Sequence, residues 1–202
     1  MALLEVDDLV VQYYTDDGVV RAVDGISYEI RAGETVGLVG ESGAGKSAAS
    51  RALLRLLDGA GEIAGGEIRF RGRDIRELSS DDLQAIRGNE IAMVFQDAGA
   101  ALNPVYTVGE QIAETIRAHE DVTDSEARDR TIALLERVGI PKPATRYSDY
   151  PHEFSGGMQQ RAVIAVALSC DPAVLICDEP TTALDVTVQA GILDLLADLT
   201  RE

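Results

Sequence analysis

Cysteine is scarce in this sequence. The only two, Cys170 and Cys177, are separated by a Pro-containing turn that fits neither a CxxC redox pair nor a zinc ligand set. Both are expected to be small buried residues. Histidine is as scarce: His119 and His152 stand alone, so no transition-metal site can be assembled and any metal ion should be held by oxygen. No apolar run approaches the ~18 to 20 residues that a membrane span requires. Residues 1–10 carry Glu5, Asp7 and Asp8 where a secretory leader would be basic, so the chain reads as cytoplasmic. Lysine occurs only at Lys46 and Lys142; arginine supplies 16 of the 18 basic residues, against 35 acidic ones. The resulting net charge of -17 excludes general nucleic-acid affinity, which needs a basic surface. Such a surface is either suited to high salt, where screening weakens its self-repulsion, or simply a solvated acidic face; an unfolding midpoint that rises strongly towards molar salt would mark the first. No internal repeat or low-complexity tract is present.

What the sequence does contain is enough apolar content, 46% over 202 residues, for one sizeable core. The first ~30 residues alternate apolar and polar positions around an Asp16-Asp17-Gly18 turn, and Gly66 to Gly72 places Ile68 and Phe70 on one face and Glu67, Arg69 and Arg71 on the other. This is the pattern of a small antiparallel β-subdomain. Three short apolar runs without alternation, Thr35 to Val39, Ile91 to Phe95 and Ala173 to Cys177, read as buried strands. The first is followed by a glycine-rich loop and a helical pattern over Ala48 to Leu57, the last by a helical pattern from Val186 to Leu199. The result is a parallel α/β core. Between the last two strands the chain is helical from about Val108 to His119, and again after Thr123, where Thr123-Asp124-Ser125-Glu126 forms a capping box and Gly139 ends the helix. This stretch is expected to form a projecting lobe.

Gly40-Glu41-Ser42-Gly43-Ala44-Gly45-Lys46-Ser47 matches G-x-x-x-x-G-K-[ST] in the strand, loop and helix context that the pattern requires. Glycines let successive N–H groups curve around phosphate oxygens, and the helix start adds partial positive charge. Lys46 would reach the β- and γ-phosphates and Ser47 would offer a hydroxyl to Mg2+. The complementary half of such a site needs carboxylates at the end of a buried strand. Asp178 and Glu179 follow Val174-Leu175-Ile176-Cys177, the first for the Mg2+ shell and the second to orient or deprotonate the attacking water. Alone, the pair could merely begin a turn before Pro180. Beside a phosphate loop, the chemical reading is the better one.

Phe154-Ser155-Gly156-Gly157-Met158-Gln159-Gln160-Arg161 resembles the signature motif of ABC ATPases, Gln96 resembles their Q-loop glutamine and Ala183-Leu184-Asp185 their D-loop. Ser155 has its own physical reading, as the cap of a helix that begins in a Gly-Gly turn. The resemblance runs from about Leu4 to the last residue. It implies a P-loop NTPase core with a parallel sheet, an antiparallel β-subdomain and an inserted helical subdomain, cut short at the C-terminus. Residues 1–202 would be one incomplete domain, with 1–96 and 166–202 forming the core plus β-subdomain and 97–165 the helical subdomain. The implied cofactors are ATP and Mg2+. Gly40 to Ser47 would hold the phosphates; Tyr13 falls where an adenine-stacking aromatic is expected, although it or Tyr14 could be ordinary strand packing. Ser47, Gln96 and Asp178 would serve Mg2+, Glu179 and Gln96 catalysis. Ser155, Gly156, Gly157, Gln159 and Asp185 would act on nucleotide shared with a second subunit.

Met93-Val94-Phe95-Gln96, Ala101-Leu102-Asn103-Pro104 and Thr107 to Ile112 are similar to ATPases of oligopeptide, dipeptide and nickel importers; Ala98-Gly99-Ala100 and Gln159 depart from the commonest pattern. The implied partners are a second ATPase subunit, two membrane-spanning permease subunits and, indirectly, an extracytoplasmic solute-binding protein, at the cytoplasmic face of the membrane and without nucleic acid. The resemblance also implies a switch histidine after the helix that follows the D-loop. The sequence ends at Glu202, and neither His119 nor His152 matches that role, which leads to the expectation of a truncated domain with weak ATPase activity. Two rival readings are a soluble ABC ATPase of DNA repair or translation, which would call for coiled-coil insertions or a second cassette, and a nucleotide-binding module without turnover.

Overall fold

The computed structural model describes residues 2–182 and 184–200. Ala183 of the expected D-loop and the terminal Glu202 lie outside them. The chain forms two compact units, Met1–Gln84 and Ala85–Glu202.

In the first unit, β1 (Leu4–Thr15), β2 (Gly18–Ile30), β3 (Gly61–Phe70) and β4 (Arg73–Asp74) form an antiparallel sheet in the order β2-β1-β3-β4. The alternation in β1 changes phase: Leu4 and Val6 are buried at even positions, Leu9 and Val11 at odd ones. A register shift between Val6 and Leu9 makes the change possible, because one extra residue in a strand sends every later side chain to the opposite face. The Asp8 N–H donates to Ser27 Oγ at 2.8 Å and steadies this bulge. Ile68 and Phe70 are buried as the alternation in β3 predicts.

Helix α1 (Lys46–Ala52) packs on β1 and β2 through buried Ala49 and Ala52. It starts earlier and ends earlier than the apolar spacing of residues 48–57 predicts. Arg55 adopts a left-handed backbone (φ 52), and the Leu56 N–H returns to the Arg51 carbonyl at 2.9 Å, closing the last turn. Thr35–Val39, expected as a buried strand, belongs to no ladder among the described residues, and Val39 is 93% exposed. A strand exists only through hydrogen bonds to a neighbour, and apolar composition does not supply the neighbour.

Helix α2 (Ser80–Ile86) follows. In the second unit, β5 (Ile91–Val94) and β6 (Val174–Cys177) pair in parallel, and the Asp178 N–H extends the ladder to the Val94 carbonyl at 2.9 Å. Between them come α3 (Ala98–Ala101), α4 (Val108–His119), α5 (Asp124–Arg137), α6 (Pro143–Arg146) and α7 (Gly156–Leu168); α8 (Val186–Leu199) follows β6. The expected capping box at Thr123 and Glu126 is present, and Gly139 (φ 78) lies just past the end of α5. The core joins β5, α4, α5 and α7 through Val94, Ile112, Ile116, Leu135 and Ile164. Arg130 of α5 forms a two-pronged ion pair with Glu120 and reaches the Ser169 carbonyl at 3.1 Å, tying the ends of α4 and α7 to α5.

Cys170 is buried and Cys177 partly so, and burial pushes the Cys177 thiol up to about 12. Among the described residues no helix is long and apolar enough to cross a membrane.

Candidate functional site

Candidate residues fall in both units. In the first, the loop from Gly40 is tightened by the Ala44 N–H, which donates to the Glu41 carbonyl at 3.2 Å, and it runs directly into α1 at Lys46. Gly45 has a left-handed backbone (φ 88), and a Cβ there would lie 1.9 Å from the Ala22 carbonyl oxygen. The loop therefore rests on the backbone of β2, and only glycine permits both the conformation and the approach. Lys46 folds back over the loop, its Nζ donating to the Gly40 carbonyl at 3.1 Å and to the Glu41 carbonyl at 3.0 Å. The ammonium is held against the curved segment that Ser42, Gly43 and Ala44 complete, and Ser47 follows it as the second residue of α1. An ammonium on a four-carbon stem, folded onto a glycine-rich loop, is equipped to exchange those carbonyls for phosphate oxygens.

Tyr13 lies two residues beyond buried Val11 and so shares its face. Val11 pairs with Val23, whose Cγ2 would lie 3.4 Å from a Cβ on Gly45. The face of the sheet that carries Tyr13 is therefore the face on which the loop rests. Tyr14 points the opposite way, its hydroxyl donating to Glu62 Oε1 at 2.5 Å, a bond that raises the phenol's pKa.

In the second unit, Gln96, Asp178 and Glu179 meet beyond the C-terminal ends of β5 and β6, as parallel pairing requires. Asp178 is 3% exposed. Glu179 adopts a left-handed backbone (φ 47), which a residue with a Cβ tolerates only under constraint. Its Oε2 accepts from Gln96 Nε2 at 2.9 Å and from Thr182 Oγ1 at 3.1 Å. Thr182 was not among the residues selected from sequence. Its signal was the spacing, since a Ser or Thr hydroxyl can reach back across a turn of this length.

Ser155 caps α7 as expected, accepting from the Met158 N–H at 3.4 Å. Gly156 and Gly157 open the helix, and a Cβ on Gly157 would lie 2.7 Å from Val188 Cγ1, so the start of α7 presses on α8. Asp185 caps α8 by accepting from the Thr187 and Val188 N–H groups at 3.1 and 3.0 Å. The Gln159 amide is turned back onto the preceding loop, donating to the Pro151 carbonyl at 2.8 Å. Of the donors expected from sequence for a metal ion, the Ser47 hydroxyl belongs to the first unit and the Gln96 amide oxygen and Asp178 carboxylate to the second; each is an oxygen, the chemistry a hard cation selects.

A family model described as "ABC transporter" matches residues 23–182. The chain is 50% identical over 199 residues to the dipeptide transport ATP-binding protein DppD of Escherichia coli (strain K12), covering 98% of this chain and 61% of that protein. It is 49% identical over 201 residues to the oligopeptide transport ATP-binding protein OppD of Bacillus subtilis (strain 168), covering 99% and 56%. It thus spans about three fifths of the length of these relatives. Among solved structures, a dimeric ATP-binding cassette in a post-hydrolysis state bound to ADP and Pi superposes with a TM-score of 0.86 at 27% identity, covering 98% of this chain and 82% of that one. The cbiO1 protein of Clostridium perfringens, part of an ABC transporter complex, gives 0.79 at 28% identity, covering 99% and 74%.

Proposed function

This chain belongs to the ABC transporter family, and from that premise we propose that it is an ATP-binding and ATP-hydrolysing subunit that powers an importer of dipeptides or oligopeptides. The observation that carries the proposal is the convergence of Gln96 and Glu179 on a 2.9 Å hydrogen bond beside buried Asp178 at the ends of two parallel strands. A carboxylate held there is placed to work on water, and the similarity to peptide-transport ATP-binding proteins supports the solute class. Nickel or another small solute is the alternative within the same chemistry.

In this reading the N–H groups of Gly40 to Gly45 and the Lys46 ammonium hold the triphosphate, while Tyr13 stacks on the adenine. Ser47, Gln96 and Asp178 would hold Mg2+, which supplies neutralisation of phosphate charge. Glu179 orients the attacking water and accepts its proton. Ser155, Gly156, Gly157 and Asp185 act on nucleotide shared with a second ATPase subunit, a copy of this chain or a related one, and Gln159 joins them once its amide leaves the Pro151 carbonyl; the match to a dimeric cassette supports that arrangement. The segment 97–165 acts as a helical lobe between the core strands, passing ATP-driven closure to two permease subunits at the cytoplasmic face of the membrane, with a solute-binding protein as the indirect partner.

The test separates binding from turnover. Calorimetric titration with ATP should show binding by the intact chain and by Glu179→Gln, and its loss in Lys46→Ala. Phosphate release, at whatever rate the intact chain supports, should disappear in Glu179→Gln. Hydrolysis that survives Glu179→Gln unchanged would remove Glu179 from the mechanism.

A further inference from the structure

Tyr13 is an unusual strand residue in that part of its ring occupies space that a neighbouring strand would ordinarily fill. It stands opposite Gly61 in the β1–β3 ladder. A Cβ on Gly61 would lie 2.7 Å from Tyr13 Cε1 and 3.0 Å from Tyr13 Cζ. The ring is laid down over the bare backbone of β3. The backbone at Gly61 is not left-handed, so glycine is not needed there for its conformation. The tightest obstacle to a side chain there is the ring, with the Asp58 carbonyl oxygen next at 3.1 Å from the same Cβ.

The seat under the ring is also anchored. The Gly61 N–H donates to the Asp58 carbonyl at 3.1 Å, closing the turn that opens β3. The Asp58 side chain forms an ion pair with Arg51 of α1, the helix that the phosphate loop runs into. Ring, seat, turn and helix form one connected series, Tyr13 to Gly61 to Asp58 to Arg51, within a single unit of the chain. An aromatic stacking partner contributes only if its plane is already parallel to the base, because ordering a free ring on binding cancels part of the gain. A ring resting on backbone, beside a strand tied to the phosphate-loop helix, is fixed in this way.

We infer that Gly61 is a positioning residue for nucleoside recognition: by carrying no side chain it lets Tyr13 lie flat on β3 at the height and tilt that a base stacked above the phosphate loop requires. This rests on the reading of Tyr13 as the adenine stacker. Gly61 itself touches no nucleotide; it acts through the ring. Its substitution should therefore change the affinity contributed by the base and leave the affinity contributed by the phosphates untouched.

Calorimetric titrations with ATP and with inorganic tripolyphosphate, on the full chain, separate the two contributions. Tyr13→Ala should weaken ATP binding on the order of tenfold, as loss of one base–aromatic stack does, and leave tripolyphosphate binding within twofold. Gly61→Ala should reproduce most of that loss. In Tyr13→Ala/Gly61→Ala the ring clash is gone and only the 3.1 Å approach to the Asp58 carbonyl oxygen remains, which a shift of a few tenths of an ångström relieves, so the double variant should fold even if Gly61→Ala does not, and it should bind ATP within twofold of Tyr13→Ala alone. If Tyr13→Ala leaves ATP and tripolyphosphate affinities unchanged, the stacking role and the positioning role fall together. If Tyr13→Ala weakens ATP while Gly61→Ala binds normally, only the positioning role is overturned. A further fivefold loss in the double variant over Tyr13→Ala would likewise overturn it, by showing that Gly61 acts independently of the ring.

Discussion

Gly45→Ala separates two reasons for a glycine. Its φ of 88 is shared closely by Gly43, at 79, but the surroundings differ: a Cβ on Gly43 would meet nothing within 4 Å, whereas one on Gly45 would lie 1.9 Å from the Ala22 carbonyl oxygen. Placing alanine in a left-handed backbone costs roughly 1–2 kcal/mol at either site. At Gly45 the loop must also retreat from β2 by about 1.5 Å to reach an ordinary contact distance, and overpacking of this kind adds about 1–3 kcal/mol. Gly43→Ala should therefore destabilise the chain by ~1–2 kcal/mol and Gly45→Ala by ~2–5 kcal/mol. Urea unfolding without nucleotide, followed by circular dichroism, measures both. The same retreat exceeds the ~0.5 Å range over which N–H···O distances remain favourable. Losing two hydrogen bonds to charged phosphate oxygens, each worth ~1.5–3 kcal/mol, would then weaken ATP binding by roughly two to four orders of magnitude in Gly45→Ala. Equal destabilisation by the two substitutions would refute the claim that the contact with Ala22 seats the loop.

Thr182→Ala should lower the hydrolysis rate about tenfold and leave the KM for ATP within twofold, because a hydrogen bond to the Glu179 carboxylate is lost without touching the phosphate loop; Thr182→Ser should restore the rate, and an unaffected Thr182→Ala enzyme would dismiss the hydroxyl as a mere turn contact. Burial that raises the Cys177 pKa to about 12 disfavours its thiolate, so at pH 8 only roughly one molecule in 10,000 carries the nucleophile, against about one in four for an ordinary thiol. Iodoacetamide should thus label Cys177 in the folded chain at least ~1,000-fold more slowly than in urea at pH 8, with a rate that rises about tenfold per pH unit and levels only as the pH approaches 12; equal rates in the two states would contradict that burial.

Much of this protein could be read from residue order alone. The helices at Val108–His119 and Val186–Leu199 lie where their apolar spacing places them, and the capping box at Thr123 forms as written. Such features are local: a cap joins residues three apart, and a helical period repeats every few residues. The chemical roles suggested for Gly40 to Ser47 and for Asp178 and Glu179 also came from contiguous motifs. What local order could not decide was partnership. Nothing in Thr35 to Val39 states whether a neighbouring strand is available, and nothing near Glu179 in sequence points to Gln96, 83 positions away. The phase change in β1, set by its bulge against β2, decides that Tyr13 and not Tyr14 shares the face of the phosphate loop. The sequence by itself therefore determined which residue types are present and which short segments can coil or extend. Only the tertiary structure decided which backbone lies beneath Gly45, which ring rests on Gly61 and that the Gln96 amide reaches Glu179, because each depends on a contact between segments distant in the chain.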